Sequence, residues 1–143
     1  MSLFSSRQSE TLSFQNEAGQ LFYQGAAGVV RLAWSAERAS LATIQEFYEQ
    51  TLRLMLRTGI FKILSYHGQR TPIAGPAQEW LTTNWIPRAI SQAGARYCAI
   101  VEGANPLHRL STQSVVAAAP AGLQFRRFAA LDEAEAWLAQ VQG

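Results

Sequence analysis

The polar side chains best suited to chemistry lie close together between residues 65 and 71. They are Ser65, His67, Arg70 and Thr71. An imidazole can accept a proton near neutral pH, and a guanidinium can clamp a carboxylate or a phosphate. The group follows an apolar run of strand type, and open α/β sheets commonly place ligand sites at the carboxyl ends of strands. We therefore expect these four residues to bind a ligand or a partner; the alternative is an exposed loop in which glycine and proline only make the turn.

These residue types give little support to an enzyme. A serine hydrolase needs its nucleophile on a strained turn such as Gly-x-Ser-x-Gly, and the sequence contains no such motif. His108 is the only other histidine, and zinc sites generally recruit three or four protein ligands, so spacing does not support a metal pair of His67 and His108. The glycines of segment 25–28 precede a strand, whereas a phosphate-cradling loop follows one. We expect no catalytic residue, no metal ion and no cofactor.

A second candidate surface is aromatic. Trp80, Trp85 and Tyr97, with Trp34, could line an apolar pocket for a small ligand. Trp80 and Trp85 are five residues apart, which is roughly 140° around a helix axis, so they need not face the same core. A partly exposed tryptophan beside Arg88 would suit a dimer interface, where Trp and Arg are favoured anchors. The alternative is that all these aromatic side chains are ordinary packing.

Composition limits the class of protein. The chain has 143 residues, 48% of them hydrophobic, which is enough for one well-buried core and too short for two ordinary domains. The net charge is +2, and only Arg126 and Arg127 are adjacent cations, so we expect no nucleic-acid partner. That pair suits an edge strand. Cys98 is the only cysteine, which excludes an intramolecular disulfide, and we expect it to be buried and inert.

Targeting signals and membrane segments are not apparent. No stretch approaches the roughly 18 apolar residues of a membrane span, and the first residues lack an apolar run of signal-peptide length. We expect a cytoplasmic protein with no membrane span. Residues 1–10 are polar and serine-rich and predict a flexible tail, whereas residues 11–143 predict a single domain.

The periodicity of apolar residues predicts the elements that hold these groups. From residue 29 onward strands alternate with helices, which implies β-α-β crossovers and a largely parallel sheet after an N-terminal β-hairpin. Pro87 lies inside one helix and predicts a kink there. We expect an α/β sandwich with a mixed sheet of five or six strands and about four helices. The predicted strands after the hairpin (12–23) are 29–34, 61–66, 97–101 and 123–128, and the predicted helices are 41–56, 77–93, 107–118 and 132–141.

Three stretches resemble the STAS-like domains of anti-sigma-factor antagonists and the lipid-binding Sec14-type domains grouped with them. One is WIPRAISQAG at 85–94 with RYCAIV at 96–101, and another is the strand and helix at 125–138. The third is the early order of hairpin, strand, long helix and strand. The resemblance covers roughly residues 12–141 and is closest to small uncharacterised bacterial proteins.

The resemblance implies a STAS-like sandwich and a regulatory or binding role. In the phosphorylated antagonists a serine preceded by aspartate lies where a strand meets the next helix, and segment 65–72 has no such motif. We therefore expect a non-enzymatic protein-interaction domain that forms a homodimer or binds another protein. The expected contact surfaces are the loop 65–76 and the helix 77–93. The alternative that it implies is a Sec14-like carrier or sensor of a small apolar ligand in a pocket lined by Trp80, Trp85 and Tyr97.

Overall fold

The computed structural model describes residues 10–141, and within them six strands form one mixed sheet in sequence order. The strands are β1 (Glu10–Asn16), β2 (Gly19–Gln24), β3 (Val29–Trp34), β4 (Lys62–Tyr66), β5 (Tyr97–Val101) and β6 (Gln124–Phe128). The helices are α1 (Leu41–Thr58), α2 (Gly75–Trp80), α3 (Ile86–Ala93), α4 (Pro106–Ala118) and α5 (Leu131–Gln140). A π-helical turn, Leu81–Trp85, joins α2 to α3 into one composite helix. With the composite helix counted once, residues 10–141 contain four helical segments. The predicted α/β class, mixed sheet of five or six strands, four helices and N-terminal hairpin are therefore confirmed.

The order of the strands explains where the helices lie. β1, β2 and β3 pair antiparallel, and β3 to β6 pair parallel with each strand beside the next one in the sequence. Three right-handed crossovers that all advance in one direction must put their helices on one face of the sheet. α1, the composite helix and α4 do cover that face, whereas α5 packs on the other face through Ala134, Trp137 and Leu138. We call these the cavity face and the opposite face.

Helix α1 illustrates how local signals set the bounds of an element. The Ser40 hydroxyl oxygen accepts a hydrogen bond of 3.1 Å from the Thr43 amide and thereby caps the first turn. Gly59, with φ of 76°, ends the helix in the left-handed conformation and donates its amide to the Met55 carbonyl at 2.8 Å. Between these caps Phe47 and Met55 are fully buried against the sheet.

Two expectations need adjustment. The tail was expected to reach residue 10, but Glu10 already belongs to β1. Its carboxylate pairs at 2.6 Å with Arg31, which β3 holds in place. Residues 1–9 lie outside the described residues. The irregularity expected near Pro87 takes the form of the π-helical turn, in which the Ile86 amide donates to the Leu81 carbonyl five residues earlier. Pro87 has no amide to donate, so a regular α-helical ladder cannot pass through it.

The closing unit of the sheet agrees with its predicted position. β6 is an edge strand, and its two arginines point to opposite faces. The Arg126 guanidinium lies 6.0 Å from the Trp137 ring centroid on the opposite face, whereas Arg127 pairs with Glu102 toward the cavity face. None of the helices within residues 10–141 combines the length and the apolar character that crossing a membrane requires.

Candidate functional site

Two loops at the carboxyl ends of β4 and β5 pack together and carry the candidate site. The His67 amide extends the sheet by donating to the Val101 carbonyl at 3.1 Å, and the Ala104 amide donates to the Gly68 carbonyl at 2.9 Å. Gly103 permits this approach, because a Cβ there would lie 2.7 Å from the Gly68 carbonyl oxygen. The segment after β4 is therefore a packed part of the domain and not an exposed turn.

A continuous series of hydrogen bonds runs through these loops, and we call it the polar relay. Trp34 Nε1 lies 2.9 Å from Ser65 Oγ, which lies 3.0 Å from His67 Nε2. His67 Nδ1 lies 2.9 Å from His108 Nε2, and His108 Nδ1 lies 2.9 Å from the Thr71 carbonyl oxygen. Apart from Thr71, which is half-buried, all members of the relay are buried, so water does not compete for these bonds.

The two ends of the polar relay fix the position of every proton in it. The Thr71 carbonyl can only accept, so His108 Nδ1 carries a proton and His108 Nε2 is left to accept from His67 Nδ1. His67 Nε2 is then an acceptor, and the Ser65 hydroxyl donates to it. The Trp34 indole can only donate, and it donates to the Ser65 oxygen. Every donor therefore meets an acceptor when both imidazoles are neutral.

The electrostatic surroundings favour the same protonation state. Burial, followed by the positive charge of Arg70, holds the pKa of His67 well below its ordinary value. Burial and then the Arg70 charge also lower the pKa of His108, to about 4. A proton added at His108 Nε2 would in addition face the donor Nδ1 of His67. Both histidines are therefore neutral at physiological pH.

Arg70 is the buried cation beside the polar relay. The central carbon of its guanidinium lies over the Trp34 ring, 3.5 Å from the centroid, and its side chain interacts with the Tyr48 hydroxyl. Burial lowers the pKa of Arg70, and burial raises the pKa of Tyr48. The ion pairs within residues 10–141 involve other arginines, namely Arg31, Arg88 and Arg127. Arg70 thus has aromatic partners and no carboxylate partner in the described part of the chain.

A narrow cavity of about 60 Å³ lies between the cavity face of the sheet and its helices, and we call it the inner cavity. Its walls are aliphatic and aromatic side chains, among them Ile63, Trp85 and Cys98. Cys98 is a buried wall residue, as predicted, and burial raises the pKa of its thiol to about 12. The polar groups at one end of the cavity are Tyr48, Ser65, His67, Arg70 and Thr112.

A wider groove of about 360 Å³ opens on the surface beside this polar end, and we call it the outer groove. It runs between the end of β3, the start of α1 and the loop 70–74. Arg70 and Ile73 line both the inner cavity and the outer groove, so these two side chains form the wall between them. Polar groups that converge at the mouth of an apolar cavity are typical of small-ligand sites.

The chemistry that this arrangement can perform is limited. Ser65, His67 and His108 follow the order of nucleophile, base and orienting group in covalent catalysis. The Arg70 charge, however, opposes the imidazolium that His67 would become, and the Trp34 indole already holds the Ser65 oxygen. The histidine pair shares a proton between its facing nitrogens, so these cannot both be metal ligands, and no three metal-binding side chains converge within residues 10–141.

The predicted site residues divide into three groups. Ser65, His67 and Arg70 come together, and Thr71 contributes its backbone carbonyl. Trp85 lines the inner cavity and donates its indole N–H to the Tyr48 carbonyl at 2.7 Å, whereas Trp80 is half-buried beside the Tyr48 ring.

The third group, Arg88 and Tyr97, lies away from the polar relay and the inner cavity. Arg88 forms a bidentate pair with Glu49, which ties α3 to α1 on the outer surface of the helices. Tyr97 packs edge-on against Trp137 at 5.8 Å on the opposite face, so the pocket of Trp80, Trp85 and Tyr97 does not form. The reason is that neighbouring strand residues point to opposite faces, and Cys98 takes the cavity face.

His108 was not predicted to be a partner of His67 within a buried network. Buried residues of α4 fall at spacings of three and four: His108, Ser111, Thr112 and Val115. This is the pattern of a core-facing stripe. Most residues of this stripe are polar, so the periodicity of apolar residues does not indicate that it is buried. The Asn105 side chain caps α4 by accepting a hydrogen bond from the Leu107 amide at 2.9 Å, which fixes where the helix begins.

The fold and the site together define a small α/β domain with an internal polar network beside a cavity. No protein-family model matches this sequence, and neither a curated protein nor a solved structure matches it.

Proposed function

We propose that this protein is a non-enzymatic domain that binds and senses a small ligand where the inner cavity meets the outer groove. The observation that carries the proposal is the convergence of Tyr48, His67 and Arg70 at the polar end of an apolar cavity. The outer groove alone has the volume of an ordinary small-ligand site. Its position at the carboxyl ends of β3 and β4 is also the usual place for ligands in open α/β sheets.

We further propose that the domain is STAS-like, in the broad class that includes Sec14-type domains. The support is the order of hairpin, strand, helix and strand and the closing unit of β6 and α5, both of which the resemblance implies. A cytoplasmic location is proposed on the single buried thiol of Cys98, because the chain has no disulfide to form.

The proposed ligand site is tested by a fragment screen read from tryptophan indole N–H signals in ¹H–¹⁵N NMR spectra. Trp34 lies in the site and Trp137 on the opposite face, so the protein carries its own control. We expect several fragments to shift the Trp34 signal and to leave the Trp137 signal in place. A screen without any hit at Trp34, or with equal shifts at both tryptophans, would contradict a ligand site here.

A second candidate function is protein interaction through a homodimer, and one observation favours it. Leu107 and Leu110 are three residues apart on α4 and are 64% and 60% exposed. Two exposed leucines on one helical face would gain from burial against a second copy. Light scattering should then give twice the chain mass for the wild type and the single mass for Leu107→Ser/Leu110→Ser. A monomeric wild-type protein would contradict this candidate.

A further inference from the structure

The charge of Arg70 is not compensated by an acidic side chain within residues 10–141. Arg70 is only 6% exposed, and all ten acidic residues of the sequence lie among the described residues. None of them forms an ion pair with it. Glu37 lines the outer groove but is itself exposed. Buried charges in folded proteins are normally paired, because desolvation of an isolated ion costs several kcal/mol.

The neighbouring groups cannot supply the missing negative charge. His67 and His108 are neutral in the polar relay, and their remaining hydrogen-bond capacity is used inside it. The Trp34 ring attracts the guanidinium, and the Tyr48 hydroxyl interacts with it. A ring face and a neutral hydroxyl stabilise a cation much less than a carboxylate does. The site therefore has a net positive charge that a bound anion would neutralise.

The shape of the two spaces around Arg70 limits what that anion can be. An apolar cavity of about 150 Å³ holds benzene, so the inner cavity of about 60 Å³ has room for about two or three carbon atoms. Beyond its polar end the inner cavity has apolar walls, which disfavour a second charged group there. A longer or more polar part of a ligand would have to lie in the outer groove.

We propose that the ligand is a small organic carboxylate, whose carboxyl group pairs with the Arg70 guanidinium and whose short aliphatic part enters the inner cavity. This inference rests on the proposed ligand-binding function and adds the chemical class of the ligand. The planar guanidinium can donate two parallel hydrogen bonds to a carboxylate. Its contact with the Trp34 ring and its burial hold the guanidinium in place, and the pairing occurs at a side chain that is only 6% exposed.

The probe for this inference is butyrate, compared with 1-butanol and inorganic phosphate, with binding followed by the Trp34 indole signal. Butanol keeps the aliphatic chain without the charge, and phosphate keeps the charge without the chain. We expect butyrate to bind at least about tenfold more tightly than either, since a buried hydrogen bond to a charged group contributes about 1.5–3 kcal/mol. Arg70→Gln should weaken butyrate binding by about 10- to 100-fold.

Arg38→Gln is the matched control, because Arg38 lines the same groove but is exposed. We expect this variant to bind butyrate within about twofold of the wild type, since an exposed charge is screened by solvent. An unchanged Trp137 signal confirms that each variant is folded.

Three outcomes would overturn the carboxylate inference. If butanol binds as well as butyrate and Arg70→Gln changes nothing, the ligand is not recognised by charge, although the ligand-binding function still stands. If Arg38→Gln loses as much affinity as Arg70→Gln, the attraction is a general surface effect. If none of the three probes shifts Trp34, the inference fails, and the proposed function fails with it only when the fragment screen also finds no ligand.

Discussion

Acidification from about pH 7.5 to about pH 5 should destabilise this protein. The polar relay requires His67 and His108 to be neutral, and burial lowers the pKa of both. A histidine whose pKa is lower in the folded state takes up protons preferentially when the protein unfolds. Its contribution to stability is therefore complete above the ordinary pKa of 6.5 and is lost as the pH falls toward the folded-state pKa.

The size of the loss can be worked out for His108. At about pH 5 the unfolded residue is almost fully protonated, whereas the folded residue, with a pKa of about 4, is mostly neutral. The difference destabilises the fold by about 2 kcal/mol relative to about pH 7.5. His67 acts in the same direction. Arg70 and Tyr48 lie beside the relay. The guanidinium stays protonated throughout this window, and burial moves the pKa of Tyr48 upward, away from the window.

Urea unfolding followed by tryptophan fluorescence at a series of pH values measures this loss. His108→Gln is the matched variant, because its amide can donate to the Thr71 carbonyl and accept from His67 Nδ1 without titrating. We expect the free energy of unfolding of the variant to fall by about 2 kcal/mol less than that of the wild type between about pH 7.5 and about pH 5. If the free energy of unfolding falls equally in the two proteins, the conclusion that His108 is neutral in the folded relay is wrong.

Three further predictions concern the same region. Arg70→Met should leave the ligand-free protein equally stable or stabilise it by about 1–2 kcal/mol in urea unfolding, because it removes an uncompensated buried charge; a loss of similar size would show that the charge is compensated. Trp34→Phe should destabilise the protein by about 1–3 kcal/mol in the same assay, since it removes the indole N–H that donates to Ser65 and leaves Arg70 a smaller ring, and an unchanged midpoint would contradict the relay. A fluorophosphonate probe, read by intact mass, should leave Ser65 unmodified; labelling that Ser65→Ala abolishes would reveal a nucleophile and overturn the non-enzymatic function.

The arrangement of the elements was open to prediction because each one carries its own local signal. The apolar spacing of α1, its serine cap and Gly59 specify a helix without reference to the rest of the chain. The alternation of strands and helices then leaves few topologies, because parallel crossovers are short and right-handed. The π-helical turn was less accessible, since Pro87 indicates that the α-helical ladder must break but not how it is repaired.

The candidate site was predictable only in part. Ser65, His67 and Arg70 were chosen because they follow a strand, but the sequence does not show that they are buried. Burial depends on α4, which covers them with the polar stripe that begins at His108. The misplacement of Tyr97 has a different cause. Its strand is apolar on both faces, so no alternation tells which residues point toward the cavity.

The most direct measurement is a crystal structure of the protein with 3-bromopropionate, in which bromine replaces the methyl group of butyrate. We expect the carboxylate oxygens about 3 Å from the Arg70 guanidinium nitrogens and the anomalous bromine peak inside the inner cavity, beside Trp85. A bromine peak elsewhere, or a carboxylate that does not contact Arg70, would contradict the proposed recognition of a small carboxylate.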